Sequence, residues 1–161
     1  MGEIKRGFEP VYDKDSKLLI LGSFPSVKSR QIDFYYGNKQ NKFWKTVCGF
    51  FGEDVPGDTE GKKQFLYRRN IALWDIVTEC EIVGSQDSTI KNFKTADIEK
   101  LLQNSKISFI MINGGTAFSI FEKRFAGIKV QYKKMPSTSP ANTRFSKEEW
   151  FDTLSGIFAG A

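Results

Sequence analysis

The side chains best suited to chemistry fall in a few short stretches. Gly22-Ser23-Phe24-Pro25-Ser26 follows an apolar run; three aromatics, Phe34, Tyr35 and Tyr36, then lead through Gly37 to Asn38 and Asn41. Asp75 stands inside a second apolar run, Asn113-Gly114-Gly115 follows a third, and Pro136-Ser137-Thr138-Ser139-Pro140 lies near the end. Flat aromatic faces, amides, hydroxyls and glycine turns together suit a planar polar ligand such as a nucleobase. An Asn carbonyl can hold a water molecule without titrating, which makes Asn38 and, second to it, Asn41 candidates to orient one. Asp75 has two readings. Inside an apolar run it is an unusual carboxyl that needs a partner if buried; at a strand end it caps the next turn.

The composition closes off other chemistries. The chain has no histidine, which excludes imidazole acid–base catalysis and argues against a zinc site. Its two cysteines, Cys48 and Cys80, form no CxxC pair and lie in or beside apolar segments, as reduced core thiols do. They are too few for an iron–sulfur cluster. No GxGxxG occurs, and Gly114-Gly115 lacks the Gly-Lys-Ser/Thr ending of a P-loop. No cofactor and no metal are therefore expected. The first residues contain no apolar leader core, and no apolar run is long enough to span a bilayer, so a cytoplasmic monomer without membrane contact is expected. A net charge of +5 permits contact with phosphates without requiring it.

These residues need a scaffold. The 161 residues suffice for one domain with a single core, 1–161. Leu18–Leu21, Ile71–Val77, Ile107–Ile112 and Ile128–Tyr132 read as four strands. Helices are expected over Asn41–Phe51 with Asn41 as N-cap, Lys62–Arg69, Thr95–Gln103 with Thr95 as N-cap, Thr116–Arg124 and Ser146–Phe158. Residues 1–16 read as an extended entry segment, 23–33 as a Ser-rich loop, 78–95 as a long polar connection in which Asp87 or Ser88 could wall a pocket, and 135–142 as a stiff loop. Strands alternating with helices predict an α/β domain, a three-layer α/β/α sandwich around a mainly parallel four-stranded sheet. In such sheets ligands bind beyond the C-terminal strand ends. The stretches 22–44, 75–91, 113–116 and 134–145 would share that rim.

Gly22-Ser23-Phe24-Pro25-Ser26 resembles the first motif of the uracil-DNA glycosylase superfamily. Asn41-Lys42-Phe43-Trp44 resembles the Asn-Arg-Phe-Trp of its mismatch-specific uracil/thymine branch. In that branch the third residue of the first motif is the catalytic Asn; here it is Phe24. Phe-Tyr-Tyr-Gly-Asn with Pro-Ser-Thr-Ser-Pro looks closest to the hypoxanthine-DNA glycosylase branch, which also lacks that Asn.

The resemblance implies a monofunctional enzyme that flips a deaminated base out of DNA and cuts its glycosidic bond. Hypoxanthine is the preferred base. Uracil, or a non-catalytic nucleic-acid-binding domain, is the alternative. It also implies roles. Tyr36 stacks on the flipped base. Asp75 reads the base edge. Gly22, Ser23, Phe24, Pro25 and Asn113 shape the base pocket, with amides of Ser23 and Phe24 facing the leaving base. Ser26, Ser137, Thr138 and Ser139 contact DNA, Ser137 and Ser139 through phosphates. Met135-Pro136-Ser137 stands where the superfamily's second motif, often His-Pro-Ser, presses into the minor groove. Asn38 takes over water orientation from the position filled by Phe24.

Overall fold

The computed structural model describes residues 4–159. Its central sheet has the strand order β3-β2-β6-β7, with β2 Leu18–Gly22, β3 Ile71–Asp75, β6 Phe109–Asn113 and β7 Gln131–Met135. All three pairings are parallel. Alternation along the strands sends side chains to two faces. Leu18, Ile20, Leu73 and Met111 pack with Phe43, Val47, Phe65, Trp150 and Leu154 of helices α2 Phe43–Phe50, α3 Thr59–Arg68 and α6 Lys147–Phe158. Leu19, Leu21, Ala72, Ile110 and Ile112 pack with Ile98, Leu101, Ala117 and Phe121 of α4 Ile98–Gln103 and α5 Gly115–Phe125. This is the expected three-layer sandwich. Burying a strand on both faces requires an almost unbroken apolar run, which is why β2 is fully buried along its length.

Several local expectations need correction. The apolar run Ile71–Val77 is not one strand. β3 ends at Asp75, and the amides of Ile76 and Val77 bond back to the carbonyls of Gly22 and Ser23 at 2.8 and 3.0 Å. The chain then enters a second, antiparallel sheet, β1-β4-β5, built from β1 Ile4–Arg6, β4 Val77–Glu81 and β5 Lys91–Thr95. The entry segment and the 78–95 connection thus contain three strands. Their polar, partly exposed faces hide them from an apolar-run criterion; Glu79 pairs across them with Arg6 and Lys94.

The fourth strand is displaced to Gln131–Met135 because β7 is an edge strand that carries Lys133 and Lys134 outward. Met135, expected in the groove-facing loop, is instead its fully buried last residue. Asn41 does not cap α2 as its N-cap: the helix starts at Phe43, and Asn41 Oδ1 accepts the Phe43 amide in a turn one residue earlier. Asp97, not Thr95, caps α4 by accepting the Lys100 amide. The Ser-rich loop contains a short helix, α1 Val27–Ile32, capped by Ser26. The other edge of the central sheet, β3, is covered by Val11, which exchanges two 2.9 Å backbone bonds with Leu73. Among the described residues no helix is long and apolar enough to cross a membrane.

Candidate active site

A cleft of about 790 Å³ opens at the C-terminal ends of the four parallel strands. The thirteen residues given site roles from the sequence all line it: Gly22, Ser23, Phe24, Pro25, Ser26, Tyr36, Asn38, Asn41, Asp75, Asn113, Ser137, Thr138 and Ser139. The parallel register brings them together, pairing Gly22 with Asp75 and Asn113 with Met135 at the strand tips. Asp87 and Ser88 line it as well, and so do Ser29, Tyr35, Gly114–Thr116 and Asn142, which lie in the rim stretches but carry no assigned role in the sequence.

Asp75 forms the floor. It is 5% exposed, and its Oδ2 has no hydrogen-bond partner among the described residues. Burial, and then the neighbouring charge of Asp87, push its carboxyl up to about 8, so it is mostly protonated at neutral pH. Its other oxygen fills the space beside Gly22, where a Cβ would lie 2.4 Å from Oδ1 and 3.0 Å from the Tyr36 hydroxyl. Only glycine fits there.

Tyr36 holds a left-handed backbone, φ 53°, costly for an aromatic residue and typical of functional sites. Two contacts pay for that strain: its ring stacks on Phe43 at 4.0 Å and 16°, and the next amide, Gly37, donates to Ser29 Oγ at 2.9 Å. Phe43 thus covers one face of the Tyr36 ring. Tyr35 turns away into the core, donating its hydroxyl to the Glu9 carbonyl at 2.8 Å. Burial, then Asp75, raises both phenols far above their ordinary value, so both stay neutral.

Asn38 and Asn41 flank the mouth. Asn38 Oδ1 accepts the Gln40 amide and Asn41 Oδ1 the Phe43 amide, both at 2.9 Å. Each carbonyl retains a second lone pair.

The opposite wall is a closed polar network. Asn113 Oδ1 accepts the Thr138 amide at 3.0 Å, and its Nδ2 donates to Thr138 Oγ1 at 3.0 Å and to the Tyr36 hydroxyl at 3.3 Å. Thr138 is 1% exposed, and its carbonyl accepts the Lys42 amide at 3.0 Å, so it joins three segments of the wall. Ser137 and Ser139 are partly exposed; each hydroxyl accepts the amide two residues on. Gly114, at φ 99°, lets the turn into α5 pass close to Ser137.

Residues 85–88 line the third side. This segment is tied to the first motif by Ser23 Oγ donating to Asp87 Oδ2 at 2.6 Å, and to α1 by the Val27 amide donating to Ser85 Oγ at 2.9 Å and the Arg30 guanidinium to the Gly84 carbonyl at 2.8 Å. Among the described residues no lysine or arginine lines the cleft. Among the described residues no three His, Cys, Asp or Glu side chains are grouped to hold a metal ion.

Comparison with known proteins follows the same line. A family model, the uracil DNA glycosylase superfamily, matches residues 9–155. A Methanosarcina acetivorans protein named hypoxanthine DNA glycosylase is 39% identical over 152 residues, covering 91% of this chain and 96% of its own. A Methanosarcina barkeri protein of the same name is 29% identical over 144 residues, covering 89% and 91%. The solution NMR structure of a candidate uracil DNA glycosylase from Methanosarcina acetivorans superposes with a TM-score of 0.84 at 36% identity, over 96% of this chain and 99% of that one.

Proposed function

Because the chain belongs to the uracil DNA glycosylase superfamily, we propose that it is a monofunctional DNA glycosylase that removes a deaminated base, hypoxanthine, from DNA and so starts base excision repair. The two relatives named hypoxanthine DNA glycosylase support the choice of base.

The observation that carries the reading is Asp75, a buried, mostly protonated carboxyl with an unpartnered oxygen at the cleft floor. Deamination replaces an amino donor on the base by a carbonyl acceptor. A carboxylate can only accept, whereas a protonated carboxyl donates. An O–H on Asp75 Oδ2 therefore rewards the carbonyl of hypoxanthine where adenine would present an amino group.

The remaining residues take roles that fit a flipped base. Tyr36 offers its uncovered face for stacking. Asn38 orients the water that attacks the sugar carbon, using its second lone pair, and Asn41 supports the same loop. The backbone of Gly22, Ser23, Phe24 and Pro25 contours the pocket. Ser26, Ser137 and Ser139 stand at the mouth, where a phosphate backbone would pass, while Asn113 and Thr138 hold that wall in place. The protein acts as a monomer in this reading, with no cofactor.

The test is release of free base from duplexes carrying hypoxanthine, uracil, xanthine or mismatched thymine, scored as alkali-labile abasic sites. Hypoxanthine duplexes should be cut fastest. Tight binding of all four without release would favour a non-catalytic binding domain instead.

A further inference from the structure

Asp87 has no part in the roles above, yet it lies in the same cleft as Asp75 and is held there. The segment that carries it spans two strands of the small sheet and folds back over the pocket, fixed by the ties from Ser23, Val27 and Arg30. Ser23 belongs to the same first-motif loop as Gly22, whose missing side chain makes room for Asp75. One strand-end loop thus sets both carboxyls: Gly22 by yielding space, Ser23 by donating a hydrogen bond.

The two differ in surroundings. Among the described residues Asp75 Oδ2 is buried without a partner; burial raises the Asp87 carboxyl too, but Asp87 Oδ2 receives the Ser23 hydroxyl, which pulls it back toward the ionised form. Two carboxyls whose environments separate them are the usual sign of an acid and an anion. The titratable groups facing Asp75 are Tyr35 and Tyr36 from the segment before α2 and Asp87 from the folded-back segment. Both phenols are neutral, and among the described residues no lysine or arginine lines the cleft; the Arg30 guanidinium sits behind it, donating to the Pro25 carbonyl at 3.2 Å.

This balance suits one kind of leaving group. A base that departs as an anion, as uracil does, gains little from a cleft whose described lining holds carboxyls and no lysine or arginine. A purine can depart neutral if a proton reaches N7, which is adjacent to the C6 carbonyl on the same edge. Resting on the reading of the site as base-excising, we propose that Asp75 is the general acid that delivers its proton to N7 of a departing deaminated purine, and that Asp87 is the positioning residue whose negative charge keeps that proton in place and balances the cationic sugar.

The step balances. The C1′–N9 bond breaks with its electron pair going to the purine, and the Asp75 proton goes to N7. Water then bonds C1′ and loses its extra proton to solvent, and Asp75 is reprotonated from solvent. Burial and Asp87, in that order, raise the Asp75 carboxyl, so the acid form is present below about pH 8 and lost above it.

The experiment measures single-turnover cleavage by the whole protein from pH 5.5 to 9.5 on duplexes containing deoxyinosine, 7-deaza-deoxyinosine or deoxyuridine. Deoxyinosine should be cut with an alkaline limb near pH 8. The 7-deaza duplex should bind equally well but be cut at least about 100-fold more slowly, the scale of general acid catalysis. In Asp87→Asn the alkaline limb should move to lower pH by about one unit, as loss of a neighbouring like charge requires. Cleavage of the 7-deaza duplex within about tenfold of deoxyinosine, or an unmoved limb in a folded Asp87→Asn protein, would overturn the pairing while leaving the glycosylase reading intact. Failure to cut any of the three duplexes would overturn both.

Discussion

The two sides of the cleft are built from the same materials and used differently. On the β6–β7 side, every polar atom of the Asn113 side chain is hydrogen-bonded, to the Thr138 amide, the Thr138 hydroxyl and the Tyr36 hydroxyl. On the β2–β3 side, Asp75 is more deeply buried and one oxygen has no partner. A buried polar group left unpaired costs stability, roughly 1–3 kcal/mol. The fold could remove that cost with an apolar residue but keeps the carboxyl. The satisfied wall is architecture, and the unsatisfied one is where chemistry is expected.

The largest test of this contrast is Asp75→Asn. The amide can still hydrogen-bond but cannot give up a proton, so single-turnover release of hypoxanthine should fall by about two to four orders of magnitude. Stability should move the other way. The Asp75 carboxyl is raised from its unfolded value to about 8, so the folded state binds more protons than the unfolded state between those values. Wild-type stability therefore declines as pH rises from about 4 toward 8, and the substitution removes that decline. At pH 8 the variant should melt at least about 4 °C higher, since about 1 kcal/mol corresponds to 2–4 °C in a chain of this size. A variant with unchanged rate and lower melting temperature would make Asp75 part of the architecture.

Asn38 lies between the two cases, with one lone pair committed to Gln40 and one free. Asn38→Ala should slow the bond-breaking step by about a hundredfold with lesion binding largely kept, as for loss of a group that positions a reacting water. Full activity would assign its amide to the turn alone.

Tyr36→Ala removes the half-buried ring proposed to stack on the base, along with its contact to Phe43. Base stacking is worth about 1–3 kcal/mol, so affinity for the lesion duplex should drop about ten- to a hundredfold while binding to undamaged duplex stays nearly constant. An equal loss on both duplexes would make Tyr36 a fold residue.

Asn113→Ala should give the smallest catalytic effect. It should lower stability by about 1–3 kcal/mol, leaving the Thr138 amide unpaired, with the residual rate per folded molecule within a few-fold of wild type. A rate loss approaching that of Asp75→Asn in a well-folded protein would erase the distinction between the walls.

The sequence carried the central sheet because double burial writes itself as apolar runs such as Leu18-Leu19-Ile20-Leu21. It carried the cleft because parallel topology sends every strand-end loop to one rim, so Gly22, Asp75 and Asn113 converge although they are far apart in the chain. The small sheet was not legible, since Lys91–Thr95 is half exposed and stabilised by cross-strand charge pairs rather than apolar periodicity. Strand β7 was misplaced for a related reason, its lysines pointing outward at an edge. The sequence named Asp87 or Ser88 as a pocket wall from the length and polarity of their segment, and both line the cleft; what singles out Asp87 is its bond to Ser23, 64 residues away.

The indole of Trp150, in the last helix, donates to the carbonyl of Pro136 at 2.8 Å and anchors the base of the Ser137–Asn142 wall. Its ring is fully buried against Phe43, which in turn supports Tyr36. The cleft is therefore a late event in the life of the molecule. During synthesis the first motif emerges early, but its stacking aromatic and its far wall cannot settle until residues 147–158 have left the ribosome and docked. A growing chain carries the parts of the pocket before the helix that supports both its far wall and its aromatic has docked.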